Sequence, residues 1–284
     1  MKIRAKTPLR VSFAGGGTDV PPFPAQEGGL AISATINRYA YGSLVPREDS
    51  EIHVESLDYG LKANFGVSRA LPLEGDLDLV KAAVRKLCED QEQGFDLLLH
   101  SNAPPGSGLG ASSALVVTII GLIKEFRGLP LTDHEVAEMA YTIERHDLGI
   151  KGGYQDQYAA AFGGFNFLEF GEDVIVNPLR MPDSVIHELE HNLLLYYVPR
   201  QQEGSTVIED QTQRLVSGDK STLDGLRNQK VLAVEMKNAL LQNRLDDFGD
   251  LLHQAWQEKR KMSPQISTSV IDEAYSCLLY TSDA

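Results

Sequence analysis

The chain has 284 residues, 42% of them hydrophobic and 23% charged, with a formal net charge of −14. That length allows one large domain or two modest ones, and the composition is ordinary for a globular protein. The charge disfavours nucleic acid and anionic membranes as partners, yet a local cluster of N–H groups can still hold a small anion.

Two distant cysteines, Cys88 and Cys277, make neither a disulfide framework nor a zinc site and fit a reducing cytosol. The N-terminus lacks an apolar leader, and the longest apolar run, Ala111 to Ile123, is too short to span a bilayer. A cytoplasmic protein is the expectation.

The first hundred residues read mainly as strands: Arg10 to Ala14, Gly29 to Ile36, Tyr39 to Val45, Glu51 to Ser56 and Phe95 to Ser101. All are rich in β-branched and aromatic residues with partial alternation. An apolar stripe predicts a helix over Asp78 to Asp90. A helix from about Ser112 to Phe126 follows a glycine loop. Thr132 with Glu135 forms a capping box for a helix running to about Arg145. A short helix over Tyr154 to Phe162 precedes a hairpin around Gly171-Glu172. Asn192 to Val198, "NLLLYYV", reads as a buried strand. Polar helices are predicted over Ser205 to Val216, Leu223 to Gln242 and Leu245 to Lys261. The class is α+β.

The segment "PPGSGLGASSA", Pro104 to Ala114, leads from a strand into a helix. The first helical N–H groups lack intrahelical partners and sit at the positive end of the dipole. Gly106, Gly108 and Gly110 remove Cβ atoms, so a phosphate can come close. Ser112 and Ser113 add hydroxyls suited to phosphate oxygens or Mg²⁺. A packing turn is the bland reading of one glycine; three alternating glycines before two serines favour an anion site. The chain has neither a Walker loop nor a G-x-G-x-x-G fingerprint.

Two acids follow: Glu144, and Asp156 beyond a loop with Gly149, Gly152 and Gly153. Phosphoryl transfer needs a metal bridge on the phosphates and a group that orients the attacking hydroxyl. A local ion pair for Glu144 and a helix cap for Asp156 are the alternatives. Near the N-terminus, Gly15-Gly16-Gly17 ends a strand and leads to Thr18 and Asp19, a carboxylate suited to sugar hydroxyls or to an Asp-stabilised turn.

Together these motifs resemble the GHMP kinase family. Pro104 to Ala114 is similar to its P-x-x-x-G-L-G-x-S-S-A motif. Glu144, Gly149, Gly153, Asp156 and Gln157 fall at the offsets of its second motif, with Arg145 where galactokinases have His. Pro8, Arg10, Val11, Gly15, Thr18 and Asp19 match the first motif. The stretch from Thr7 to Tyr41 is similar to the branch acting on a heptose 7-phosphate, with Thr7 in place of Ala.

The resemblance implies a two-layer N-terminal domain over residues 1–184, and a ferredoxin-like C-terminal domain over 185–276, cut short. It implies ATP on Pro105, Gly106, Gly108, Leu109, Gly110, Ala111, Ser112 and Ser113, and Mg²⁺ on Ser113 and Glu144. Asp156 would accept or orient the hydroxyl proton, with Arg10 beside it. Gly16, Gly17, Thr18, Asp19 and Gly153 would bind the sugar. The implied reaction phosphorylates the anomeric hydroxyl of a heptose 7-phosphate. Lys151, Arg38 and Lys6 are candidates for the sugar's own phosphate, each equally readable as a solvated surface cation.

The family's third glycine motif is absent, and "CLLYTSDA" from Cys277 resembles translated adaptor sequence. The expectation is therefore a non-native tail over 277–284 and a longer natural protein. Other readings are a fucose- or galactose-type kinase, or a non-catalytic sensor of nucleotide or sugar, against which Ser113, Glu144 and Asp156 all speak. RNA binding fits the charge poorly.

Overall fold

The computed structural model describes residues 1–67, 71–75, 77–88, 92–104, 106–198 and 204–282. Contacts group the chain into two compact units. Unit 1 comprises Met1–Val11 and Ala34–Gly164; unit 2 comprises Ser12–Ser33 and Phe165–Ala284. The boundary expected after residue 184 falls inside a helix of unit 2.

Unit 1 is built on β1 (Ile3–Ala14), β2 (Gly29–Pro46), β3 (Glu51–Ser56), β4 (Leu61–Gly66) and β5 (Phe95–Ser101), with β1 and β2 continuing into unit 2. The strand order is β4-β3-β5-β2, and β1 also pairs with β2. β5 runs antiparallel to β2 and parallel to β3. The two strands predicted within 29–45 are one continuous β2. β4, with the weakly apolar sequence "LKANFG", is an addition to the prediction.

Against this sheet lie α2 (Asp78–Leu87) and α3 (Ala111–Arg127). α3 buries Val116, Ile119, Ile120, Leu122 and Ile123 in a core shared with Leu44, Ile52, Phe95, Leu97 and Leu99. Gly42 on β2 lets α3 approach, since a Cβ there would come 2.5 Å from Leu122 and 2.9 Å from Thr118. The Thr118 hydroxyl is 2.7 Å from that of Thr7, so the threonine that departs from the family pattern ties β1 to α3.

α4 (Asp133–Tyr141) begins with both hydrogen bonds of the predicted capping box between Thr132 and Glu135. It does not continue to Arg145 as an α-helix. Thr142–Asp147 is a π-helical turn, with the Leu148 N–H reaching the Ile143 carbonyl. α5 (Gln155–Phe162) closes the unit.

Unit 2 holds α1 (Phe23–Glu27), the antiparallel hairpin β6 (Phe165–Phe170) and β7 (Val174–Pro178), and helices α6 (Asp183–Asn192), α7 (Gly204–Val216), α8 (Lys220–Leu241), α9 (Leu245–Met262) and α10 (Ser269–Ser282). Its core joins Ile32 and Phe167 to Met236, Leu240 and Phe248.

The buried strand expected over Asn192–Val198 is not formed. α6 ends at Asn192, and Leu194, Leu195 and Tyr196 are 74%, 60% and 63% exposed. Composition nominates a strand, but a ladder partner makes one, and this segment pairs with none of the described strands. No described strand follows β7, so the ferredoxin-like layer is not seen among the described residues. α10 runs through Cys277 into the stretch expected to be a tail.

Candidate active site

The geometry of unit 1 starts at the glycine loop. Gly106, Gly108 and Gly110 have φ of 73°, 74° and 71°, a left-handed conformation open to glycine at little cost. A Cβ on Gly106 would meet nothing within 4 Å. The loop is strapped to β1, because the Arg10 N–H donates to the Leu109 carbonyl at 3.0 Å.

α3 then starts with no side-chain cap and no acid in its first turn. Among the described residues nothing accepts from the N–H groups of Ala111, Ser112 and Ser113, which is the arrangement that receives an anion. The buried Ser107 hydroxyl also lacks a described partner. Pro105 lies outside the described residues.

Arg10 reaches from β1 to α5. Its Nε and one terminal nitrogen donate to the same oxygen, Oδ1 of Asp156, at 2.8 and 2.5 Å, and its other terminal nitrogen donates to the Gly108 carbonyl at 2.8 Å. One guanidinium therefore fixes both the acid and the loop. Asp156 is held through Oδ1, which leaves Oδ2 for another donor. A Cβ on Gly110 would lie 3.6 Å from the Asp156 carboxyl carbon, so loop and acid are neighbours.

A second cluster sits deeper. Glu144 lies on the π-helical turn and is 1% exposed. Ser112 donates to its Oε1 at 2.8 Å and Ser113 to its Oε2 at 2.6 Å. Gln157, fully buried and next to Asp156, donates to the same Oε2 at 2.5 Å and to the Ser113 hydroxyl at 3.1 Å. The nearest cation, Arg145, is 4.0 Å away. A buried carboxylate met mainly by neutral donors is costly alone. Together with serine hydroxyls it makes a set of hard oxygen ligands. Mg²⁺ fits such a set, because it takes one or two protein ligands plus phosphates.

Arg145, in the place of the galactokinase His, lies under the following loop. It donates toward the carbonyls of Gly153 and Ile150 at 3.3 and 3.4 Å, and its guanidinium fills the space a Cβ on Gly152 would take, 2.4 Å from the central carbon. Gly153 thus belongs to a clamped loop. Lys6 stands 4.8 Å over the ring of Tyr39, and Arg38 and Lys151 are exposed.

The triglycine loop belongs to unit 2. Asp19 Oδ1 accepts from the Gly17 N–H at 3.0 Å. Thr18 is fully buried; its hydroxyl lies 2.7 and 2.9 Å from the carbonyls of Gly15 and Leu30 and accepts from the Leu30 N–H at 3.0 Å, so it helps to build the loop. Gln229 of α8 accepts from the Gly15 N–H at 3.0 Å, and Gln211 of α7 donates to the Gly17 carbonyl at 3.1 Å. These supporting glutamines escape sequence reasoning, because a lone polar residue in an amphipathic helix carries no periodic signal.

Residues 78–164 match the GHMP kinases N terminal domain, the stretch that carries the glycine loop, Glu144 and Asp156. The D-glycero-alpha-D-manno-heptose 7-phosphate kinase of Campylobacter jejuni is 38% identical over 278 residues, covering 96% of this chain and 81% of the relative. The crystal structure of a D-glycero-D-manno-heptose 1-phosphate kinase from Bacteroides thetaiotaomicron superposes with a TM-score of 0.79 at 36% identity, covering 92% of this chain and 80% of that one. That of a putative sugar kinase from C. jejuni gives 0.73 at 37%, covering 90% and 76%. With the loop, the acids and these likenesses in agreement, the chain belongs to the GHMP kinase family and is an ATP-dependent sugar kinase.

Proposed function

We propose that this kinase transfers the γ-phosphoryl group of ATP to the anomeric hydroxyl of D-glycero-α-D-manno-heptose 7-phosphate, in the cytoplasm and with Mg²⁺. The observation that carries the mechanism is the Arg10–Asp156 pair at the glycine loop. The N–H groups at the start of α3 and the loop backbone hold the phosphates. Ser113 and Glu144 hold Mg²⁺, which neutralises charge on the phosphates when bound.

Asp156 Oδ2 accepts the sugar hydroxyl proton, either ahead of or during formation of the new O–P bond, while the bond from the γ-phosphorus to ADP breaks. Arg10 keeps Asp156 aimed through Oδ1 and tied to the loop. Gly153 sits in the Arg145-clamped loop, and Gly16, Gly17, Thr18 and Asp19 are assigned to the sugar by resemblance alone. The 7-phosphate, if bound by side chains, falls to Lys151, Arg38 or Lys6.

A second reading comes from the relatives, whose names put the acceptor as heptose 7-phosphate in one case and call the other a heptose 1-phosphate kinase. ADP release should be measured with Mg·ATP on heptose 7-phosphate, heptose 1-phosphate, fucose and galactose, with the products assigned by phosphorus NMR. Turnover on the 7-phosphate with a new anomeric phosphate supports the proposal. Turnover only on the 1-phosphate replaces it with the second reading, and turnover only on a free hexose discards the heptose. Asp156→Ala should lower kcat by about 10²–10⁴-fold while the nucleotide still binds.

A further inference from the structure

Gln157 has no role in the reading above, and its contacts give it one. The geometry points to Gln157 as a positioning residue that makes Glu144 a one-oxygen ligand and thereby selects Mg²⁺ over Ca²⁺; this rests on the proposed metal site at Ser113 and Glu144. A carboxylate oxygen has two lone pairs. Oε2 of Glu144 receives two donors, the Ser113 hydroxyl at 2.6 Å and the Gln157 amide at 2.5 Å. It is therefore filled. Among the described residues Oε1 receives only Ser112, at 2.8 Å, and keeps one lone pair.

The same amide sets the Ser113 hydroxyl. Gln157 donates to Ser113 Oγ at 3.1 Å, and that oxygen in turn donates to Glu144. Its proton is committed, one lone pair is used, and the other is left for a cation. Reversing the amide would set its carbonyl against the Glu144 carboxylate, so the two contacts themselves fix which end is the donor. Gln157 is fully buried, and its Oε1 has no described partner. It sits there for its NH₂ group.

The consequence is selectivity. Mg²⁺ demands a small octahedral shell and takes carboxylates through one oxygen, whereas Ca²⁺ has a larger, adaptable shell that accepts both. Blocking Oε2 leaves the first arrangement and denies the second. Gln157→Met keeps length and volume but removes both donors, which reopens Oε2 and frees the Ser113 hydroxyl to turn.

The test uses ADP titrated calorimetrically into the full chain without metal, with Mg²⁺, and with Ca²⁺, and needs no turnover. Wild type should bind ADP more tightly with Mg²⁺ than with Ca²⁺. Gln157→Met should keep the metal-free affinity and lose about tenfold of the Mg²⁺/Ca²⁺ preference, the scale on which partners of metal ligands act. A residue that only stabilises the fold would shift all three affinities together. Gln157→Leu, which also removes the amide donors and adds neither charge nor oxygen, serves if the Met variant does not fold, and should show the same loss.

An unchanged preference in a folded variant overturns the inference while leaving the metal site standing. Metal-independent ADP binding in wild type, or an unchanged metal effect in Glu144→Gln, overturns the metal site and the inference with it.

Discussion

The two glycine loops look alike in sequence and are built for opposite reasons. At Gly106 an added Cβ would meet nothing within 4 Å, and at Gly110 its nearest neighbour is 3.5 Å away. Those glycines serve backbone conformation and leave a surface open. At Gly15 a Cβ would lie 1.8 Å from the Leu30 carbonyl oxygen, and at Gly17 it would lie 2.6 Å from the Met262 side chain. There the chain's own atoms already occupy the space, and the glycines serve packing. Glycine richness alone therefore does not mark a ligand loop; what stands opposite the missing Cβ does.

The sharpest way to break this contrast is substitution by alanine. Gly15→Ala drives a Cβ into backbone at a φ of 81°, which no side-chain movement relieves. It should abolish the cooperative unfolding of unit 2 and the soluble yield. Next in size, Gln229→Met leaves the buried Gly15 N–H without its 3.0 Å acceptor. That should cost about 1–3 kcal/mol, seen as a lower urea midpoint with unchanged slope.

Gly106→Ala meets open space and pays only for its left-handed backbone, about 1–2 kcal/mol. It should remain folded and reveal itself in weaker ADP binding; if it unfolded as Gly15→Ala does, the distinction between the loops would be gone.

The smallest effect is a probe of the unit 1 core. Burial pushes the Cys88 thiol up to about 11 from 9.0, so at pH 8 it should alkylate far more slowly than exposed Cys277. The sign follows: the native thiol holds its proton more tightly, so this stability is complete below pH 9 and is lost as pH rises toward 11.

The open loop was legible in the sequence, and so was much of its setting. Strand, glycines and helix follow in order, and Thr132 with Glu135 marked the start of α4, because these signals are local. Glu144 and Asp156 stand out in the sequence as candidate acids after the glycine loop, while their roles, and Arg10, come from the resemblance. What escaped depends on partners distant in sequence. "NLLLYYV" has a strand's composition without a neighbour to pair with. "LKANFG" has little strand character and pairs with β3 all the same. The work of Gln157 shows only once α3, the π-helical turn and α5 have brought three side chains together.

That π-helical turn makes the site sensitive to counting. Each residue of an α-helix advances the side-chain direction by a fixed angle, and a π turn takes up one residue more than an α turn. Beyond Tyr141 the phase is therefore slipped, and Glu144 points where an ordinary continuation of α4 would not send it. Removing either Thr142 or Ile143 would let the helix close up and swing the carboxylate away from Ser112 and Ser113, with every site residue still present. Exchanges of active-site segments into this chain should therefore carry the stretch from Thr132 to Asp147 whole, since its length decides where its carboxylate points.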